Sequence, residues 1–123
     1  MKAKIGDVIA SMKAIDELAE MGFAAKLSYR IGKACRKALL EFKDYEDARL
    51  KSLKQYGTVD KDGNITCKKE NVEKFREEMN SLMEEECELT GVEKIPLSMF
   101  DNEDVKIKPA VFGALFWLID EKK

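Results

Sequence analysis

AKLSYRIGKACRKALLEFKDYEDARLKSLKQY, residues 25–56, is the stretch whose reading decides the fold. Ile31, Cys35, Ala38, Phe42 and Tyr45 follow in steps of four and three, the spacing of one helix face, and Leu50 and Leu53 continue a neighbouring stripe toward Tyr56. No proline interrupts the run, and Gly57 follows it as a stop. The pattern predicts one helix starting at Ala24 or Ala25 and ending at Tyr56, about 48 Å long at a rise of about 1.5 Å per residue. That exceeds what a single small globule covers. Part of the helix is therefore expected to protrude or to pack against another subunit. Gly32 marks either a break or a close helix approach.

Beyond the helix, Asp62-Gly63 is a turn signal between two short β-branched stretches, Thr58-Val59 and Ile65-Thr66, and predicts a small hairpin. Asp60 to Asn64 has the look of a calcium loop but lacks the downstream ligand spacing. Asn71 is placed as the N-cap of a second helix reaching about Glu86, with Val72, Phe75, Met79, Leu82 and Met83 as its apolar stripe and glutamates on its other faces. Folded back antiparallel, it would set an acidic helix beside the basic long one and cover about the C-terminal half of it.

Before the long helix, Ile5, Val8, Ile9, Met12, Ile15 and Leu18 predict a helix from about Lys4 to Met21, with Gly22 as a left-handed stop. After the acidic helix, Cys87 to Leu89 reads as extended, Leu97 to Phe100 as a short helical turn and Val105 to Ile107 as a strand. Pro109 opens a last helix to Asp120, apolar all round and so expected to be buried. Cys35, Phe116 and Trp117 read as core or interface residues. The fold class is mainly α with a small β-hairpin (α+β), a single domain over 1–123.

Composition narrows function. Hydrophobic residues make up 45% and charged residues 37%, too apolar for disorder and too charged for a membrane protein. A net charge of −2 gives no global attraction to nucleic-acid polymer or anionic membrane. The first residues lack the apolar core of a secretory signal, so a cytoplasmic location is expected. Histidine is absent, which removes the usual base near neutral pH and the nucleophile pairs built on it. The three cysteines are far apart and predict no zinc or disulfide framework. Consecutive glutamates at 84–86 point in different directions around a helix and do not converge on a metal. No catalytic motif is visible, so neither an enzyme nor a cofactor is expected, and the residues alone name no function.

Two places have the residues to hold a ligand. Lys26, Tyr29, Arg30, Lys33, Arg36 and Lys37 crowd the start of the long helix, either as a phosphate site with Arg30 as the bidentate donor and Tyr29 as a stacking surface, or as a solvated basic face. Phe100, Asn102, Lys106 and Lys108 follow one another between Met99 and Pro109, either as a purine and phosphate loop or as an ordinary turn anchored by its phenylalanine.

Four stretches also carry a resemblance: KLSYRIGK at 26–33, RLKSLKQYG at 49–57 with the DKDGN that follows, the acidic helix at 75–88, and VKIKPAVFGAL at 105–115. In this order the chain resembles small bacteriophage proteins, among them the Thoeris anti-defence sponge family. The resemblance implies an oligomeric protein of the host bacterial cytoplasm that binds and sequesters a cyclic ADP-ribose isomer or cyclic oligonucleotide without cleaving it. It implies a homo-oligomer, a dimer or a higher assembly such as a hexamer, with sites between subunits. Arg30 matches the family's phosphate-binding arginine at the start of the long helix. Lys106 and Lys108 stand where the family has its second arginine. The alternative is a phage structural, assembly or adaptor protein that binds a protein partner.

Overall fold

The computed structural model describes residues 1–121. The long helix runs over Ala25–Tyr56 without interruption, so Gly32 is no break. With β1 (Lys2–Lys4), α1 (Ile5–Ala10) and α2 (Met12–Ala19) before it, it is α3. A hairpin of β2 (Gly57–Val59) and β3 (Ile65–Cys67) follows, then a 3₁₀ turn at Lys69–Asn71 and α4 (Val72–Glu84). The remainder is β4 (Glu86–Glu88), β5 (Ile95–Pro96), a 3₁₀ turn at Leu97–Phe100, α5 (Pro109–Ala114) and β6 (Ile119–Asp120). The fold is mainly α with a small β component, as the periodicities predict.

The core lies against the first half of α3. Leu27, Ile31, Ala34 and Ala38 are its buried positions, and the two alanines let α1 and α2 approach closely. Val8, Ile15 and Leu18 pack from one side, and Leu89, Val92, Ile95, Leu115 and Leu118 complete the cluster. After Ala38 no residue of α3 is fully buried. Its second half, the hairpin and the start of α4 form an arm, while the end of α4 packs on α1, and Lys4 Nζ, just before α1, pairs with Glu84 at 3.0 Å. Antiparallel α4 lies along that half of α3, as expected, but among the described residues no ion pair joins the two helices. Instead Ser52 Oγ and Tyr56 Oη donate to the Glu78 carboxylate at 2.6 and 2.8 Å. Gly57, which follows α3 with extended backbone, has no room for a side chain: a β carbon there would sit 2.7 Å from the Thr66 carbonyl oxygen and 2.8 Å from that of Leu53.

The hairpin turns at Gly63 (φ 83°), and Asp60 Oδ1 accepts the Asp62 and Asn64 amides, each at 2.9 Å. That carboxylate closes an Asx turn rather than facing a cation.

Other expectations are corrected. The first segment is not one helix from Lys4 to Met21. Ser11 donates to the Val8 carbonyl at 2.8 Å, a back-bond that competes with the helical ladder and divides α1 from α2. Its first residue, Lys4, ends strand β1, which is antiparallel to β4 with Ala3 opposite Cys87. Gly22 does not have a positive φ. Asn71 makes no side-chain cap on α4; its Nδ2 donates 3.2 Å to the Tyr56 carbonyl at the end of α3. Residues 105–107 are not in a strand, although Val105 and Ile107 are half-buried between exposed neighbours. The last helix stops at Ala114, because Ile119 and Asp120 pair in parallel with Ile95 and Pro96. Trp117 to Ile119 are buried from the turns that follow it, while Phe116 is exposed rather than core.

Candidate functional site

Tyr29 and Arg30 are consecutive on α3 and so point about 100° apart around it. Tyr29 is 65% exposed; Arg30 is 32% exposed and turned toward the segment that crosses the helix start. Its Nη1 donates to Met99 Sδ at 3.0 Å, and its Nη2 pairs with Glu93 Oε2 at 3.2 Å. Two concavities flank the pair. One, about 600 Å³, is walled by Ala25, Lys26, Tyr29, Arg30 and Met99. The other, about 220 Å³, is formed by Tyr29, Arg30, Lys33 and the 91–93 segment. Lys33 Nζ lies 5.9 Å from the Tyr29 ring centroid, within cation–π range.

Gly91 holds this second wall in place. Its φ of 80° is a left-handed value, and a β carbon on it would meet Lys33 Cε and Nζ at 3.0 Å. The backbone can therefore turn at 91 and still leave Lys33 beside Tyr29.

The loop residues are placed differently. Phe100 stacks edge-on with Phe23 (5.6 Å) and Phe112 (5.3 Å), which makes it a packing residue between the α3 entry and α5. Asn102, Lys106 and Lys108 are exposed and line neither concavity. The loop is tied to α3 at another residue: the Ala24 amide donates to Glu103 Oε1 at 2.8 Å. That carboxylate occupies the position at the helix start where an anion is favoured.

The structure thus brings Tyr29 and Arg30 together with Met99, Glu93 and Lys33. Met99 and Glu93 carry no spacing signal, because a loop closing from more than sixty residues away brings them to Arg30. The glycine at 91, before Val92 and Glu93, is the one local sign of a turn there. Chemically, the constellation offers a stacking ring, an apolar wall and three cations within one short stretch of helix. Among the described residues, no group of three or more Cys, Asp or Glu side chains is arranged to hold a metal ion, and no helix is long and apolar enough to cross a membrane. Cys35 is half-buried, with its Sγ 3.6 Å from Asp16 Oδ1; burial and then the nearby Asp16 charge raise its thiol pKa, which disfavours the reactive thiolate. Comparison with protein-family models, curated proteins and solved structures gives no match.

Proposed function

We propose that this chain captures a small phosphate-bearing nucleotide at the start of α3 and sequesters it intact, in the manner of a phage-encoded anti-defence sponge. The ligand class is a cyclic ADP-ribose isomer or a cyclic oligonucleotide. The supporting observation is the juxtaposition of an exposed ring, Tyr29, with a guanidinium, Arg30, at one apolar-walled concavity. A base stacks on Tyr29 against Met99, and the phosphate takes the fork of Arg30 in two charge-assisted hydrogen bonds. The Glu93 carboxylate that now holds Arg30 is exposed, and such a pair contributes at most about 1 kcal/mol. A phosphate can therefore displace it. Lys26 and Lys33 add charge on either side. Sequestration needs affinity alone, which suits a chain without histidine.

The test is to incubate the protein with cyclic ADP-ribose isomers and cyclic dinucleotides, remove free ligand, and recover bound ligand by heating. Intact nucleotide is expected in the heated fraction. Ligand at a hundredfold excess over its Kd should stabilise the fold by about 2.7 kcal/mol. Arg30→Ala should weaken binding by roughly tenfold to a hundredfold, the loss of one charge-assisted pair. Neither retained ligand nor a thermal shift with any of these nucleotides would refute the reading.

A further inference from the structure

Arg30 and Lys33 stand one turn apart on α3, so their side chains reach the same side of the helix. Both line the smaller concavity, of about 220 Å³, and Glu93 lines it from the 91–93 segment. That volume falls below the roughly 300–1,000 Å³ of a whole small-molecule site. It has room for one charged group of a ligand and not for a nucleoside. The larger concavity, beyond the Tyr29–Arg30 ridge, has Ala25 and Met99 in its wall and suits a base.

The two cations differ in what holds them. Arg30 Nη2 is paired with Glu93 Oε2 at 3.2 Å. Lys33 Nζ has the Tyr29 ring at 5.9 Å and, among the described residues, no carboxylate within ion-pair distance. The subsite thus carries two positive charges and one internal negative charge.

Glu93 cannot withdraw with its loop. Val92 and Ile95 on either side of it are buried. The Val92 amide donates to the Leu89 carbonyl at 3.1 Å, and the Ile95 amide to the Leu118 carbonyl at 2.8 Å. The backbone is pinned on both sides, so only the side chain can swing. A carboxylate pushed off Arg30 stays at the rim, close to the anion that replaced it.

Ligands of different charge meet this arrangement unequally. A group with one negative charge exchanges with Glu93 one for one, and like-charge repulsion from the displaced carboxylate counts against it. Two phosphates joined by a bridging oxygen bring two charges. One takes Arg30 and the other takes Lys33, where no internal carboxylate competes. We propose, resting on the reading of the site given above, that Glu93 is its specificity-determining residue. It is an internal anion that makes the smaller concavity select a diphosphate bridge over a lone phosphodiester.

Calorimetric titration of the full chain with ADP-ribose and with cyclic AMP provides the test. The two probes share adenosine and differ in carrying adjacent phosphates or a single phosphodiester. The unaltered chain should bind ADP-ribose about tenfold or more tighter than cyclic AMP. Glu93→Gln keeps the size of the side chain and removes its charge. It should tighten cyclic AMP by about fivefold or more and so narrow the preference. Lys33→Met keeps an aliphatic stem beside Tyr29 and should weaken ADP-ribose more than cyclic AMP, whereas Lys33→Arg should keep the preference. Circular dichroism checks that the variants keep their helix. Equal affinity for the two probes, a Glu93→Gln variant that binds cyclic AMP no tighter, or a Lys33→Met variant that weakens both probes alike would overturn the proposal and leave the reading of the site standing. Binding of neither probe and of none of the cyclic nucleotides named above would overturn that reading and the proposal together.

Discussion

Ser11 is fully buried, accepts the Trp117 indole N–H at 2.9 Å and donates to the Val8 carbonyl at 2.8 Å. One hydroxyl thus satisfies a core tryptophan and sets the break between α1 and α2. Ser11→Ala leaves that indole N–H buried without an acceptor and should cost about 1–3 kcal/mol. Thermal unfolding followed by the fluorescence of Trp117, the single tryptophan, measures it; an unchanged midpoint would show that water takes over the role. The sequence hides this residue, since one serine inside an apolar repeat reads as a neutral helix position. Tyr29 and Arg30 are legible because they are neighbours on one helix. Their partners Met99 and Glu93 are not, because loop closure and not periodicity brings them there.

α3 was readable over its whole length because its signal is local: every apolar position repeats within one or two turns. Cys87 to Leu89 reads as extended and β4 lies there, but β1 and its pairing with β4 escaped the same reading, the strands being three residues each and more than eighty residues apart. Their alternation is visible once they are paired, with Lys-Ala-Lys set against Glu-Cys-Glu so that the small residues turn inward and opposite charges face across. The last helix was overestimated because an apolar run has no period that separates a buried helix from buried turns.

The contact of α3 with α4 has a pH window. Hydrogen bonds from Ser52 and then Tyr56 hold the Glu78 carboxyl below its usual pKa, and the same carboxylate raises the Tyr56 phenol above its own. A depressed carboxyl contributes stability above its unfolded pKa and loses it as pH falls through the folded value. A raised phenol contributes below its unfolded pKa and loses it as pH rises through the folded one. The arm should therefore be firmest between the two ordinary pKa values, about 4.3 and about 10. Melting temperatures measured against pH on the chain and on Glu78→Gln check this. The variant should flatten the fall on the acid side, and identical acid limbs would remove Glu78 as its cause.

At the scale of the molecule, a compact head carries a helix too long for it. That much was legible from the length of α3 against the size of the chain. The head's closure was not, because it depends on short strands that join Ala3 to Cys87 and Ile95 to Ile119. These pairings bear on the order of folding. α3 and its hairpin are made of near neighbours in sequence, whereas β1 and β4 must close a loop of more than eighty residues, an entropic cost that favours late formation. The strand pair should thus act as a latch absent from the folding transition state. Cys87→Ala is expected to speed unfolding in denaturant while leaving the folding limb nearly unchanged. Stopped-flow measurement of both limbs decides it, and a folding rate that slows in proportion to the lost stability would place the latch in the nucleus instead. A late latch makes the lifetime of the folded head, rather than the speed at which it forms, the quantity that this small sheet sets.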